Sequence, residues 1–253
     1  MEIEIVSGKQ PKPIRLGLYG TDGSGKSTFF KDGLFLDLEG GLGEIDTESI
    51  NLVNAKLEDV IDALKYVYQY HKKIKRKMIV VDSLDWLEKM IFQSVCDAKG
   101  VESIEDIGYG KGYTFALSHW KNFLQGLDAL RELGFTIGLI AHSEIVRVED
   151  PRLDPYDRHD LKLHKKVRGL IREWCDVVAF VSPEIFTSKS GDKFGVAKFT
   201  PTATGRRIMH LSEQPTFEAK SRLSLPDTLP LEWNAFQSAV ESARGENVTN
   251  NNE

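Results

Sequence analysis

The residues best equipped for chemistry lie in one octapeptide. Residues 20–27 read GTDGSGKS, which fits the spacing G-x-x-x-x-G-K-[ST] at every fixed position. Glycines at this spacing let the backbone curl until its N–H groups converge on phosphate oxygens. On this reading Gly20, Thr21, Asp22, Gly23, Ser24 and Gly25 form a cradle for a triphosphate. Lys26 sets a point charge on the β- and γ-phosphates, and Ser27, followed by Thr28, offers its hydroxyl to Mg²⁺. The bland alternative is a glycine-rich surface turn. It leaves unexplained the strand-like run at 14–19 before the loop and the helix-prone run at 27–31 after it.

Two carboxylates join this loop. Met78-Ile79-Val80-Val81 is an apolar run ending in Asp82, which would hold the Mg²⁺ shell from a neighbouring strand. Asp82 can also cap the helix that follows, and the two roles are compatible. Residues 34–41 read LFLDLEGG and place Glu39 at the carboxyl end of a strand. That is the ligand edge of an open α/β sheet, where a carboxylate can polarise an attacking water. Spacing alone leaves Glu39 equally readable as a solvated strand end.

The elements that must position these residues follow from hydrophobic period. Short apolar runs at 14–19, 34–38, 78–81, 136–141 and 177–181 predict strands. Between them, Leu57, Val60, Ile61, Leu64 and Tyr68 share a helical face, as do Leu84, Leu87, Ile91 and Val95, and then Phe123, Leu127, Leu130 and Leu133. Alternating strands and helices imply an α/β fold with a mostly parallel sheet covered on both faces. Shorter runs at 196–200, 207–211 and 217–222 predict a small antiparallel extension. A closing helix is predicted over 231–240, and the polar tail 245–253 is expected to be disordered.

Composition narrows the class. The chain has 253 residues, with 33 Lys and Arg against 38 Asp and Glu, a net charge of −5. Net acidity argues against a protein coated in nucleic acid but permits a local basic groove. Two distant cysteines, Cys96 and Cys175, exclude a disulfide framework and imply a reducing, cytoplasmic setting. No apolar run approaches ~18 residues, so no membrane span is expected.

Taken in order, the loop at 20–27, the D-x-E-G-G at 37–41 and the V-D-S at 81–83 resemble the RecA-like core of P-loop NTPases. More closely, the chain is similar to phage-encoded ATP-binding proteins of the Sak type, the single-strand annealing ATPases. The resemblance spans about residues 14–229. It implies a RecA-like ATPase domain at 14–244, after the short strand and KQPKP linker that residues 1–13 suggest and before the tail. It makes Glu39 the catalytic base and gives His142, at the polar end of IGLIAHS, the role of γ-phosphate sensor. It matches Lys220 and Arg222 to a K-x-R motif that reaches the next subunit's nucleotide. The implied cofactors are ATP and Mg²⁺. The implied partners are single-stranded DNA, further copies of the chain in a ring or filament, and a single-stranded DNA-binding protein. A phage origin would place it in the host cytoplasm. One departure stands out: only residues 28–33 separate the loop from the next strand, too few for a long helix.

On a strand, Lys220 and Arg222 point to one face, where two cations need an anion. That anion is either a neighbour's γ-phosphate or Glu218 on the same face. After His142, residues 143–163 show little periodicity. From Arg147 to Arg172 there are eight basic residues against five acidic ones. This stretch offers Arg147, Arg158, Lys162, Lys165, Lys166 and Arg168 to DNA. The Gly-rich turn at 108–113 offers Tyr109, Lys111 and Tyr113, two rings to stack and a cation for phosphate. Two other readings share the loop: a nucleoside or nucleotide kinase whose lid is 147–172, and a nucleotide-switched replication partner.

Overall fold

The computed structural model describes residues 6–190 and 198–245. Of the N-terminal strand expected in 1–13, residues 1–5 lie outside this range, as do residues 246–253 of the tail.

Six parallel strands carry the fold: β1 (Arg15–Gly20), β2 (Leu34–Asp37), β3 (Glu48–Asn51), β4 (Met78–Asp82), β5 (Thr136–Val148) and, beyond a hairpin strand β6 (Tyr156–Leu161), β7 (Val177–Ser190). Strands β8 (Lys198–His210), β9 (Lys220–Ser221) and β10 (Thr228–Pro230) follow. The sheet order is β10-β8-β7-β1-β5-β4-β2-β3, with β6 added to β5 and β9 to β7. The chain is thus α/β with a mostly parallel sheet, and the expected antiparallel extension is β8 and β10.

Six helices connect the strands: α1 (Lys26–Phe29), α2 (Leu57–Tyr70), α3 (Leu84–Lys99), α4 (Lys111–Glu132), α5 (Lys165–Trp174) and α6 (Trp233–Arg244). Alternate residues of β4 feed two cores, one on each face. Ile79 and Val81 join the core under α2, α3 and α4, while Met78 and Val80 join the one under α1 and α6.

The short spacing after the phosphate loop has a simple resolution. Helix α1 is a single turn, too short to bury an apolar face of its own. It ends in Phe29 and Phe30, which pack edge-on at 4.9 Å, and α6 covers them: Trp233 lies 5.6 Å from the Phe29 ring. The Phe30 ring lies flat against β5, so close that a Cβ on Gly138 would fall 2.8 Å from it.

Three expectations change. The runs 196–200 and 207–211 are parts of one long strand, β8, apart from residues 196–197, which lie outside the described range. The run 217–222 contributes only the two-residue β9. The segment 143–163 is not a loop: β5 continues to Val148 and pairs antiparallel with β6. Its inner face mixes apolar residues with charged ones that are paired: Arg158 binds the buried Glu218 at 2.6 Å, and Arg168 lies 3.8 Å from the buried Asp160. A hairpin pinned in this way is not the free strap that a kinase lid needs.

Gly138→Ala is expected to destabilise the fold by about 1–3 kcal/mol, the usual cost of overpacking a filled core. Urea unfolding measures it, and an unchanged midpoint would contradict the Phe30–Gly138 contact.

Candidate active site

Strand register brings the chemistry to one edge. Gly20 pairs with His142, Asp82 with Ile140, and Asp37 with Asp82. β2 and β4 end level with one another, two residues short of β1 along β5, and β5 runs on past both, at the carboxyl edge where open α/β sheets bind ligands. The edge encloses a cavity of about 370 Å³ lined by residues 22–28, Glu39, Asp82, His142 and Arg207, among others.

The loop itself has the shape its sequence predicts. Gly23 and Gly25 take φ of +66° and +91°, values that a side chain resists. Lys26 is buried and folds back to donate to the carbonyls of Gly20 (3.1 Å) and Thr21 (2.8 Å) and to Ser24 Oγ (3.3 Å). Burial lowers its ammonium pKa, against the pull of Asp82, Asp22 and Glu39. A buried cation beside curled main-chain amides fits a phosphate group.

Ser27 Oγ donates to Asp82 Oδ2 at 2.7 Å. Burial pushes the Asp82 carboxyl up to about 6, with the Ser27 hydrogen bond opposing. A hydroxyl and a buried carboxylate in contact are a donor pair of the hard-oxygen type that Mg²⁺ takes. Ser27 and Asp82 therefore fit the metal they were expected to hold.

Glu39 lies two residues past β2. Asp37 Oδ1 accepts from Gly40 N (2.7 Å), which turns the chain back over the edge. Glu39 Oε2 accepts from Ser83 Oγ at 3.0 Å, and Oε1 stands 3.7 Å from His142 Nε2. His142 Nδ1 meets both oxygens of Asp85, at 3.1 and 3.0 Å, and Nε2 lies 3.2 Å from Asp22. The hydrogen bond to Asp85 raises the His142 pKa, with burial opposing. Burial pushes Asp85 up, but its bonds with His142 outweigh this and hold the carboxyl at about 2. The imidazole is thus anchored on one nitrogen while the other faces the cavity.

Lys220 and Arg222 lie elsewhere. β9 pairs with Val177 and Val178, the start of β7, whereas the phosphate loop adjoins Val181 at the other end. Within one chain neither cation reaches its own loop. Their anion is not Glu218, which binds Arg158 and Arg172. Lys220 donates to the carbonyls of Arg172 and Cys175, and Arg222 to Asp176 Oδ1 (3.2 Å) and the carbonyl of Glu173. The end of α5 thus answers the repulsion between them without a phosphate.

The two stretches read as DNA contacts converge. Tyr113 stacks on His164 at 4.1 Å, and Lys166 Nζ donates to Thr114 Oγ1 at 3.4 Å. Tyr109 is 101% exposed and left-handed (φ +57°), and Lys111, Arg147, Lys162, Lys165 and Lys166 are exposed as well. Arg158 and Arg168 do not belong with them. Their side chains are 15% and 20% exposed and neutralise buried carboxylates. Sequence reasoning missed Arg207, which no local motif marks. It also missed Asp85, visible only as the second residue of a helix.

A phosphate loop, an acidic strand end and β5, with His142, lying between them define a P-loop ATPase of the RecA/AAA type. The chain belongs to the family described as an AAA domain (AAA_24), which matches residues 12–223. No curated protein matches it. A solved structure of a KaiC-like protein from the hyperthermophilic archaeon Pyrococcus horikoshii OT3 is 14% identical. That alignment covers 87% of this chain and 86% of the other, with a TM-score of 0.42. Among the described residues no helix is long and apolar enough to cross a membrane.

The His142–Asp85 ion pair is complete below the ordinary histidine value of ~6.5 and is lost as pH rises through the raised one. Asp85→Asn removes the group that favours the imidazolium, so the His142 midpoint is expected to fall. NMR titration of the imidazole reads this directly, and an unmoved midpoint would contradict the pairing.

Proposed function

We propose that the protein hydrolyses ATP with Mg²⁺ as a homo-oligomer acting on single-stranded DNA, in recombination or strand annealing, as the resemblance to Sak-type proteins implies. The observation that carries the DNA part is the meeting of the 108–113 turn with residues 162–166 beside the sensor. Lys162 N donates to the carbonyl of His142 at 2.9 Å, so the sensor strand is joined directly to this basic, aromatic face. A fully exposed ring at Tyr109 suits stacking on a base, and Lys111, Lys162, Lys165 and Lys166 suit a phosphate backbone.

The chemistry assigned to each residue is local. Lys26 and the loop amides hold the β- and γ-phosphates. Bound Mg²⁺ neutralises and orients the phosphate oxygens, held by Ser27 and Asp82. Glu39 takes a proton from water as the water oxygen bonds to the γ-phosphorus and the bridge to the β-phosphate breaks. The hydroxyl of Ser83 holds Glu39 in place. His142 faces the γ-phosphate and, through β5, passes its presence to the DNA face. Lys220 and Arg222 serve the neighbouring subunit's nucleotide, since they lie at the far end of the sheet from their own. This requires them to leave their carbonyl partners on assembly. A single-stranded DNA-binding protein is a further partner on this reading.

Two outcomes test it. Glu39→Gln is expected to lower turnover by about 10²–10⁴-fold while ATP still binds, the usual range for a lost general base. Single-stranded DNA is expected to stimulate hydrolysis by the assembled wild type. Lys165→Ala with Lys166→Ala should abolish that stimulation at an unchanged basal rate. An assembled sample indifferent to DNA would contradict the DNA role and leave the ATPase standing.

A further inference from the structure

Two cavities meet at the phosphate loop. The smaller holds Lys26, Glu39, Asp82 and His142. The larger, about 790 Å³, runs past Phe29 to Leu231 and Trp233 and includes none of those four. Gly25, Thr28 and Arg207 line both.

Arg207 stands at the junction because of where β8 puts it. Its strand neighbour two residues on, Met209, is fully buried in the core under α1 and α6. Side chains two apart share a face, so Arg207 projects toward α1. Its main chain is fixed on both sides: it is in register with Pro183, and its carbonyl accepts from Leu231 N at 3.0 Å. The guanidinium then lies across the loop, so that a Cβ on Gly25 would come within 2.6 Å of Nη1. The φ of +91° is what requires glycine at 25.

The chemistry of this cation differs from that of its counterparts. Arg158, Arg168, Arg172 and Arg222 each meet a carboxylate. Among the described residues Arg207 meets none. It is held over a loop that already contains Lys26, so an anion at the junction is the group that would relieve both. Asp82, Glu39 and His142 mark the terminal-phosphate end of the smaller cavity, and the junction lies toward the larger one. A nucleotide threaded through both cavities has its inner phosphates there.

Building on the ATP site proposed above, we propose that Arg207 is a nucleotide ligand supplied in cis. It binds oxygens of the α- and β-phosphates where the cavities meet, and the larger cavity receives the sugar and base. A guanidinium suits this position because its planar fork can grip two phosphate oxygens at once.

Calorimetric titration of ATP and of ADP, each with Mg²⁺, tests this in the full-length protein and in Arg207→Ala, Arg207→Lys, Lys26→Ala and Lys121→Ala. Arg207 is exposed, so its variants should melt like wild type. Arg207→Ala is expected to weaken both nucleotides by about ten- to a hundredfold, the range for a hydrogen-bonded charge. Arg207→Lys should recover part of the loss, and Lys121→Ala, a remote surface cation, none should be seen. Wild-type affinity in Arg207→Ala alongside a loss in Lys26→Ala would overturn the assignment and keep the ATP site. A loss for ATP but not ADP would put Arg207 on the terminal phosphate and overturn its placement. Normal binding in both Arg207→Ala and Lys26→Ala would remove the ATP site itself. Inorganic triphosphate should compete far less well than ATP, and equal competition would overturn the role of the larger cavity.

Discussion

The 2.7 Å contact between Ser27 and Asp82 sets the geometry on which the site depends. The two residues are 55 apart in sequence, and β1, which leads into the loop and Ser27, is not a neighbour of β4, because β5 lies between them. The contact depends on the parallel registers that fix Gly20 opposite His142 and Asp82 opposite Ile140 on β5. A slip of one residue in any pair would turn the carboxylate to the other face of the sheet. A buried carboxylate also needs a partner. Ser27 supplies it here, and the same two oxygens are the ones a magnesium ion would join.

Buried charge organises the neighbouring structure as well. Asp85 fixes one nitrogen of His142, and Glu88 accepts from the His164 main chain with both oxygens, where burial pushes its carboxyl up to about 7. The β5–β6 hairpin that extends beyond His142 is anchored the same way. Glu218 is 3% exposed and binds Arg158 and Arg172, while its carbonyl accepts from the Tyr19 hydroxyl at 2.6 Å. Tyr19 immediately precedes the phosphate loop, and Lys220 lies two residues beyond Glu218. The loop, the hairpin and the Lys220 segment therefore share one buried anchor. A change at the loop has a packed, hydrogen-bonded route to both surfaces proposed for partners.

Much of the fold was legible because its core strands are buried on both faces and read as unbroken apolar runs. The phosphate loop and Asp82 were legible because each sits at the end of such a run. Strand β3 escaped notice because it is an edge strand whose Glu48, Ser49 and Asn51 are exposed. The hairpin escaped because Glu144, Arg158 and Asp160 point inward while Ile145 is exposed, so the usual apolar alternation is broken. Those same ion pairs explain why Arg158 and Arg168 counted as basic surface in the sequence and do not in the fold. Arg207 owes its position to the register of β8 against Pro183, a long-range pairing that no local spacing encodes.

The central claim is that Ser27 and Asp82 hold magnesium against a triphosphate gripped by the loop. Titrating ATP with and without Mg²⁺ into wild type and Asp82→Asn tests it most directly. Wild type should bind ATP more tightly with Mg²⁺, and Asp82→Asn should lose that gain while keeping its fold. The same Mg²⁺-dependent gain in Asp82→Asn, or none in wild type, would contradict it.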